Sequence, residues 1–203
     1  MTTHLARAIA VLAVLALVAV PGTATAKPKP KRYHIALIEV TASAGLPAAS
    51  ADAIPLARAQ VAKELTTHPQ LATLDGSPDP AVDGKKFKAW LVKKKIAGAY
   101  RMNVEITSYE EELEDKDATV NQEKRLVNRI GLRTFGETIP DRKMAFAADG
   151  SATIKVDVGK KLRPRDREFA IQSAVEGAVG DALTASLVKL ALPPPPPAKK
   201  RKK

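Results

Sequence analysis

The chain has 203 residues, no cysteine and a formal net charge of +11. The missing cysteine excludes disulfides, thiol nucleophiles and cysteine-ligated zinc, so stability must come from an ordinary hydrophobic core. The charge suggests a polyanion binder, but it is concentrated at the chain ends: Tyr33 to Ala198 carry only +1.

The first segment reads as an export signal. Arg7 supplies the positive charge, an apolar run follows from Ala8 to Val20, and Pro21-Gly22 breaks it. Ala24-Thr25-Ala26 then supplies small residues three and one before a cut. Charge, short apolar run and small-x-small are the features that signal peptidase reads. The run of 13 residues falls short of the ~20 that span a bilayer. Cleavage is therefore expected between Ala26 and Lys27, which makes the protein periplasmic or secreted with no transmembrane segment in its mature chain. No cysteine follows the run, so an anchor of the bacterial lipoprotein kind is not expected. Residues 27–32, with Lys27, Lys29, Lys31 and Arg32 between prolines, read as a basic disordered arm.

The body opens with an apolar run, Tyr33 to Val40, read as a buried strand. Ser50 or Asp52 is the expected cap of the next helix, with Pro55 in its first turn and an end near His68. Ile54, Ala57, Val61 and Leu65 share its apolar face. Leu71 to Leu74 is expected to be a short second strand. Asp75 to Pro80 is turn chemistry, and a second helix is predicted from about Asp83 to Ile96, buried through Phe87, Trp90 and Leu91 and ended by Gly98.

Strict alternation then places Tyr100, Met102, Val104, Ile106 and Ser108 on one face of a strand. Glu110 to Asp117, with six acidic residues, reads as a solvated hairpin tip. The next strand buries Leu126, Ile130 and Leu132. Even-numbered apolar residues from Met144 to Val158 predict one long bent strand, with Asp149-Gly150 as a bulge or split point. Pro164 and Asp166 open a last helix running to about Leu190, in which Gly177 and Gly180 suggest a close backbone approach to the sheet. The expectation is a single α/β domain over 33–192: a mixed sheet of about five strands with three helices, in the order β-α-β-α-β-β-β-α. After it, Pro193 to Pro197 form a polyproline spacer of roughly 15 Å at ~3.1 Å per residue, and Lys199, Lys200, Arg201, Lys202 and Lys203 form a basic tip. Two readings of this tail stand: docking to an anionic surface, or solubilisation alone.

The strand Ile35 to Val40, the helix segment Ala59-Gln60-Val61-Ala62-Lys63-Glu64-Leu65 and the step Lys95-Ile96-Ala97-Gly98-Ala99-Tyr100 come before a meander and an Ala-rich last helix. In this order the chain resembles the small exported α/β domain of the curli secretion lipoprotein CsgG, the TolB amino-terminal domain and the outer-membrane activators of penicillin-binding proteins. The resemblance is one of topology, spans Tyr33 to Leu192 and departs from the family in lacking the lipid-anchoring cysteine. It implies an envelope binding or assembly module without catalysis.

The residues point the same way. His34 and His68 have no metal-ligand spacing and read as surface or boundary residues. There is no nucleophile elbow and no phosphate-binding glycine loop. Asp75, Asp79 and Asp83 miss the EF-hand pattern, and Asp83 reads as a helix cap. Aromatics are only 4% of residues, with no basic stretch interleaved with them, so nucleic acid is not an expected partner. The expectation is thus a non-enzymatic envelope protein without cofactor or metal, binding a protein partner or an anionic envelope polymer. A periplasmic hydrolase with an unrecognised carboxylate site and an oligomerising structural protein are the alternatives.

Overall fold

The structure, a computed structural model, describes residues 30–115, 124–159 and 161–192. The chain runs β1 (Arg32–Ala42), a 3-10 turn (Ala48–Asp52), α1 (Ala53–Thr67), α2 (Gly84–Lys93), β2 (Ile96–Asp115), β3 (Lys124–Thr138), β4 (Met144–Val158) and α3 (Pro164–Lys189). The four strands form one sheet in sequence order; β1 is parallel to β2, and the remaining pairs are antiparallel. The expected mixed sheet with three helices is present, with one strand fewer than the sequence suggested. Leu71 to Leu74 is not a strand: Leu71 makes a single parallel bridge to Tyr33, held by Tyr33 N to Gln70 O at 2.9 Å and Ala72 N to Tyr33 O at 2.8 Å. That stub caps the free edge of β1 where it begins. His34 belongs to the same cap, with its Nδ1 2.7 Å from the Ala72 carbonyl oxygen.

Helices α1 and α3 pack side by side on one face of the sheet, α1 over β1 and α3 over β3 and β4. The core between them contains Val61, Met102, Val104, Ile130, Leu132, Val175 and Val179. Two bulges set which residues reach it. In β2 the register slips between Ile106 and Ser108, so Thr107 is extra. Before the bulge even residues face the helices; after it odd ones do, and Tyr109 is buried where the alternation read from the sequence would bury Ser108. Gly131 lies opposite, where a Cβ would meet Ser108 Oγ at 2.5 Å. In β4 the slip falls between the partners of Gly136 and Glu137, which leaves Met144 exposed although it shares the even phase.

The acidic run is also placed differently from the sequence expectation. Glu110 to Asp115 are strand, not hairpin tip, and pair with Lys124 to Arg129; Lys116 and Asp117 fall outside the described residues. Like charges tolerate this because Glu110, Glu112 and Glu114 all face Arg129, at 3.2, 3.5 and 3.9 Å. Helix α2 ends earlier than expected, at Lys93. Lys95, at φ 57°, makes the left-handed turn assigned to Gly98, which instead sits in β2. Phe87 and Leu91 seal a second small core with Ile96 and Ala99 at the start of β2. Arg32, expected in the basic arm, is the first residue of β1.

Helix α3 lies directly on β4. A Cβ on Gly150 would sit 2.3 Å from Ala182 N and 2.5 Å from Ala178 O, and one on Gly177 would sit 2.8 Å from the Ala152 Cβ. Gly150 is thus the contact point, not a break in the strand. Gly180, also expected to mark close approach, has nothing within 4 Å. Polar pins fix the helix further. Thr134 and Ser186 share a buried hydrogen bond of 2.7 Å, Ser151 N donates to Asp181 at 3.2 Å, and Lys189 Nζ donates to the Ala147 carbonyl. The last two occupy outward-facing backbone groups of an edge strand, the positions most prone to unwanted pairing.

Gly150→Ala is expected to destabilise the protein by about 1–3 kcal/mol through overpacking. Gly180→Ala is expected to stabilise it, by up to about 1 kcal/mol, because open space receives the methyl; urea unfolding of both variants checks the contrast. Burial holds the His34 imidazole below its ordinary pKa, against the hydrogen bond to Ala72 and the charge of Asp75. The unfolded chain then binds the proton more readily than the folded one, so stability present at pH 7 is lost as pH falls through 6.5 and below. Melting temperatures between pH 7.5 and 5 should show this slope, reduced in His34→Gln.

Candidate functional site

None of the residues that the sequence singled out for binding or cleavage is in the described part: Ala26, Lys27 and Lys199, Lys200, Arg201, Lys202 and Lys203 all fall outside it. Their points of attachment are described. Arg32, which opens β1, pairs with Ile96 at the start of β2. At the other end of the chain, Lys189 at the close of α3 reaches Ala147 near the start of β4. A row of aromatic rings crosses the sheet at this end: Tyr33 to Tyr100 at 6.2 Å, and Tyr100 to Phe146 at 5.9 Å. Phe146 spans β3 because Gly136 beneath it has no side chain; a Cβ there would sit 2.2 Å from the ring. Both chain ends therefore leave from the same pole of the domain.

The opposite pole carries a cleft of about 650 Å³ between the first turns of α1 and α3. Its walls are apolar, formed by Pro55 and Leu56 on α1 and by Leu162, Pro164 and Ile171 on the α3 side. The size falls within the ~300–1,000 Å³ usual for small-molecule sites. Leu162 is held in place by packing against a third small cluster, Leu126, Val158 and Ala170.

One side chain organises the cleft. Arg167 lines it and gives Nε to both carboxylate oxygens of Glu111, each at 2.9 Å, and Nη1 to Asp52 at 3.0 Å. Three elements distant in sequence are thereby joined: the turn before α1, β2 and α3. Hydrogen bonds to Glu111 first and to Asp52 second hold the guanidinium pKa above its ordinary value. The network extends inward, because Tyr109 donates to Glu111 at 2.8 Å and Asn128, fully buried, donates to Tyr109 at 3.4 Å. Burial raises the Tyr109 pKa, and the bond to Glu111 adds to this. Asp52 departs from its expected role: it makes no side-chain cap on α1 and turns to Arg167 instead. Asp83 does cap α2, accepting from Lys86 N at 2.9 Å.

The far face of the sheet is built differently. It is a lattice of cross-strand ion pairs, including Arg125 with Asp157 at 2.9 Å and Arg133 with Asp149 at 2.8 Å. Val127 lies among them yet is fully buried, its register neighbours being the long side chains of Glu112 and Lys155. Of the remaining sequence candidates, Asp75 accepts from Thr73 at 2.6 Å and Asp79 from Ala81 N at 2.8 Å, as ordinary turn residues. His68 is buried, not at the surface. No group of ligating side chains that could hold a metal ion occurs among the described residues. No helix among them is long and apolar enough to cross a membrane. The residues missed by sequence reading are Arg163 and Arg167. Their signal was the segment Leu162-Arg163-Pro164-Arg165-Asp166-Arg167, where arginine recurs at every second position into a helix start.

No protein-family model and no curated protein matches this chain. Solved structures resemble it weakly. One is a candidate neuraminyllactose-binding hemagglutinin homologue from Helicobacter pylori: 9% identity, TM-score 0.41, covering 74% of this chain and 82% of that one. A second is a minor lipoprotein from Acinetobacter baumannii: 12% identity, TM-score 0.40, covering 83% and 100%. A third is the PelC dodecamer from Paraburkholderia phytofirmans: 8% identity, TM-score 0.35, covering 76% and 88%. Likeness at this level carries no conclusion about the activity, partners or assembly of this chain, and the expected tie to CsgG, TolB and the penicillin-binding-protein activators rests on element order alone.

Arg167→Met, Glu111→Gln and the double variant form a thermodynamic cycle. The expected coupling is about 0.5–1 kcal/mol, modest because the pair is partly solvated, and smaller in 1 M salt. Urea unfolding at two salt concentrations measures it.

Proposed function

We propose that this protein is an exported, non-enzymatic envelope protein that docks on an anionic surface through its two basic terminal segments and presents a ligand cleft at the opposite pole. The observation that carries this reading is the position of the chain ends. Residues 27–32 and 199–203 hold nine basic side chains between them, and both segments join the domain at the pole marked by Tyr33, Tyr100 and Phe146. Basic groups near an anionic bilayer contribute about 1 kcal/mol each. Delivered to one side of a nearly neutral body, they orient the molecule as well as attract it. Export itself rests on the leader read from residues 1–26.

A binding role fits the cleft better than hydrolysis. Of the carboxylates nearest it, Asp52 and Glu111 both point their oxygens at Arg167. Glu168 alone remains on the lining, so the pair of free carboxylates that acid–base cleavage uses is not assembled there.

Docking is checked by sedimentation of the protein with phosphatidylglycerol vesicles. Removal of residues 198–203 is expected to weaken binding at least tenfold at low salt, and 0.5 M salt to abolish it. Binding that survives both would place docking on the folded surface instead.

A further inference from the structure

We propose that the cleft between α1 and α3 takes a single-chain amphiphile with an anionic head, its chain lying along Leu56, Leu162 and Ile171 and its head against Arg163 and the free edge of Arg167. This rests on the reading of the cleft as a ligand site and names the chemistry of its ligand.

The chain half follows from the walls. Pro55, Leu56, Leu162, Pro164 and Ile171 supply only hydrocarbon surface to a cleft open to solvent. Burying that surface under an apolar ligand is favourable at about 25 cal/mol per Å². The walls also argue against an extended peptide. They are the side-chain surfaces of two helix starts and offer no strand edge, so the backbone hydrogen bonds that secure an added strand have no partners there.

The head half follows from how the charges are spent. The segment from Lys161 to Arg167 holds four basic residues and one acid. Arg167 uses Nε and Nη1 on Glu111 and Asp52, while its Nη2 donates to nothing among the described residues. Arg165 has Asp166 beside it, at 3.7 Å. Asp166 also accepts from the backbone of Arg163 at 3.4 Å. The Arg163 side chain lines the cleft and has no ion-pair partner among the described residues, and Lys161, next in sequence to Leu162, has none among them either; the acidic side chains on the lining are Asp52, engaged by Arg167, and Glu168. Arginine presents a planar fork suited to a carboxylate or a phosphate. The two heads share that chemistry, and the test separates them.

The test is isothermal titration of the full-length processed protein, below the critical micelle concentration, with laurate, dodecyl phosphate, dodecyltrimethylammonium and an uncharged dodecyl glycoside. The anionic ligands are expected to bind at least tenfold more tightly than the cationic one, and whichever of laurate and dodecyl phosphate binds better identifies the head. Leu56→Trp fills the cleft and should reduce anionic binding at least tenfold; Arg163→Gln, at an exposed position, should reduce it about fivefold and leave glycoside binding unchanged. Equal binding of all four heads, no binding of any, or anionic binding unchanged in both variants would overturn the proposal, as would capture of a peptide with an acidic end in place of every dodecyl ligand. If Leu56→Trp fails to fold, the head selectivity and Arg163→Gln still decide it. Vesicle docking is read separately: it should be unchanged in Arg163→Gln, so loss of docking without loss of laurate binding would overturn the docking reading alone.

Discussion

The contact of α3 with β4 at Gly150 is the constraint on which the remaining architecture depends. A helix normally stands off a sheet by the length of its side chains. Here the backbone at Ala178 and Ala182 comes within the space that one methyl group on residue 150 would occupy. Such an approach requires small residues on both sides, and α3 provides Ala174, Ala178 and Ala182, all fully buried. Close packing of this kind is unforgiving because interiors are filled to crystal-like density. It also fixes the helix along its axis, and the polar pins at Thr134–Ser186 and Asp181–Ser151 fix its rotation. Once α3 is set in this way, its first turn is committed to one end of the sheet and its last to the other.

The bulge at Thr107 supplies the second condition for the cleft. Without the extra residue, Glu111 would share a face with Glu105 and look away from the helices. With it, Glu111 emerges on the α3 side and meets Arg167. The same phase change buries Tyr109, whose hydroxyl then needs partners and finds them in Glu111 and Asn128. One inserted residue in a strand thus creates the clamp that holds the ends of α1 and α3 in register with β2.

What was legible in the sequence follows from these particulars. β4 was readable from Phe146 to Val158 because one face of it is covered and the other is wet, which writes period two into the sequence, while the slip between Met144 and Phe146 broke that phase at its start. Helices α1 and α3 were readable for the same reason at period 3.6. The acidic run was misread because its compensation is not local: Arg129 and Lys155 come from the two following strands, and no window around Glu110 to Asp115 contains them. Leu71 to Leu74 has strand composition but only one residue's worth of edge to pair with. The cleft was illegible for a deeper reason. Asp52, Glu111 and Arg167 are joined by folding alone, and the strand slip that aims Glu111 has no composition signature beyond Gly131 on the neighbouring strand. Asp52 shows the limit from the other side: its type and place suit a helix cap, and a stronger charge-assisted partner takes it instead.

The separation of the two poles is itself a consequence of topology. β1, β2 and β4 run one way; α1, β3 and α3 return. Six long traverses bring the chain back to the side on which it began, so whatever is joined to either end is delivered to the same pole. The turns before α1 and before α3 both lie at the other pole, which is why the cleft forms there and why its lining comes from helix starts. Helix α3, with 26 residues, spans about 39 Å at 1.5 Å per residue. The length of α3 thus separates the pole of the chain ends from the pole of the cleft.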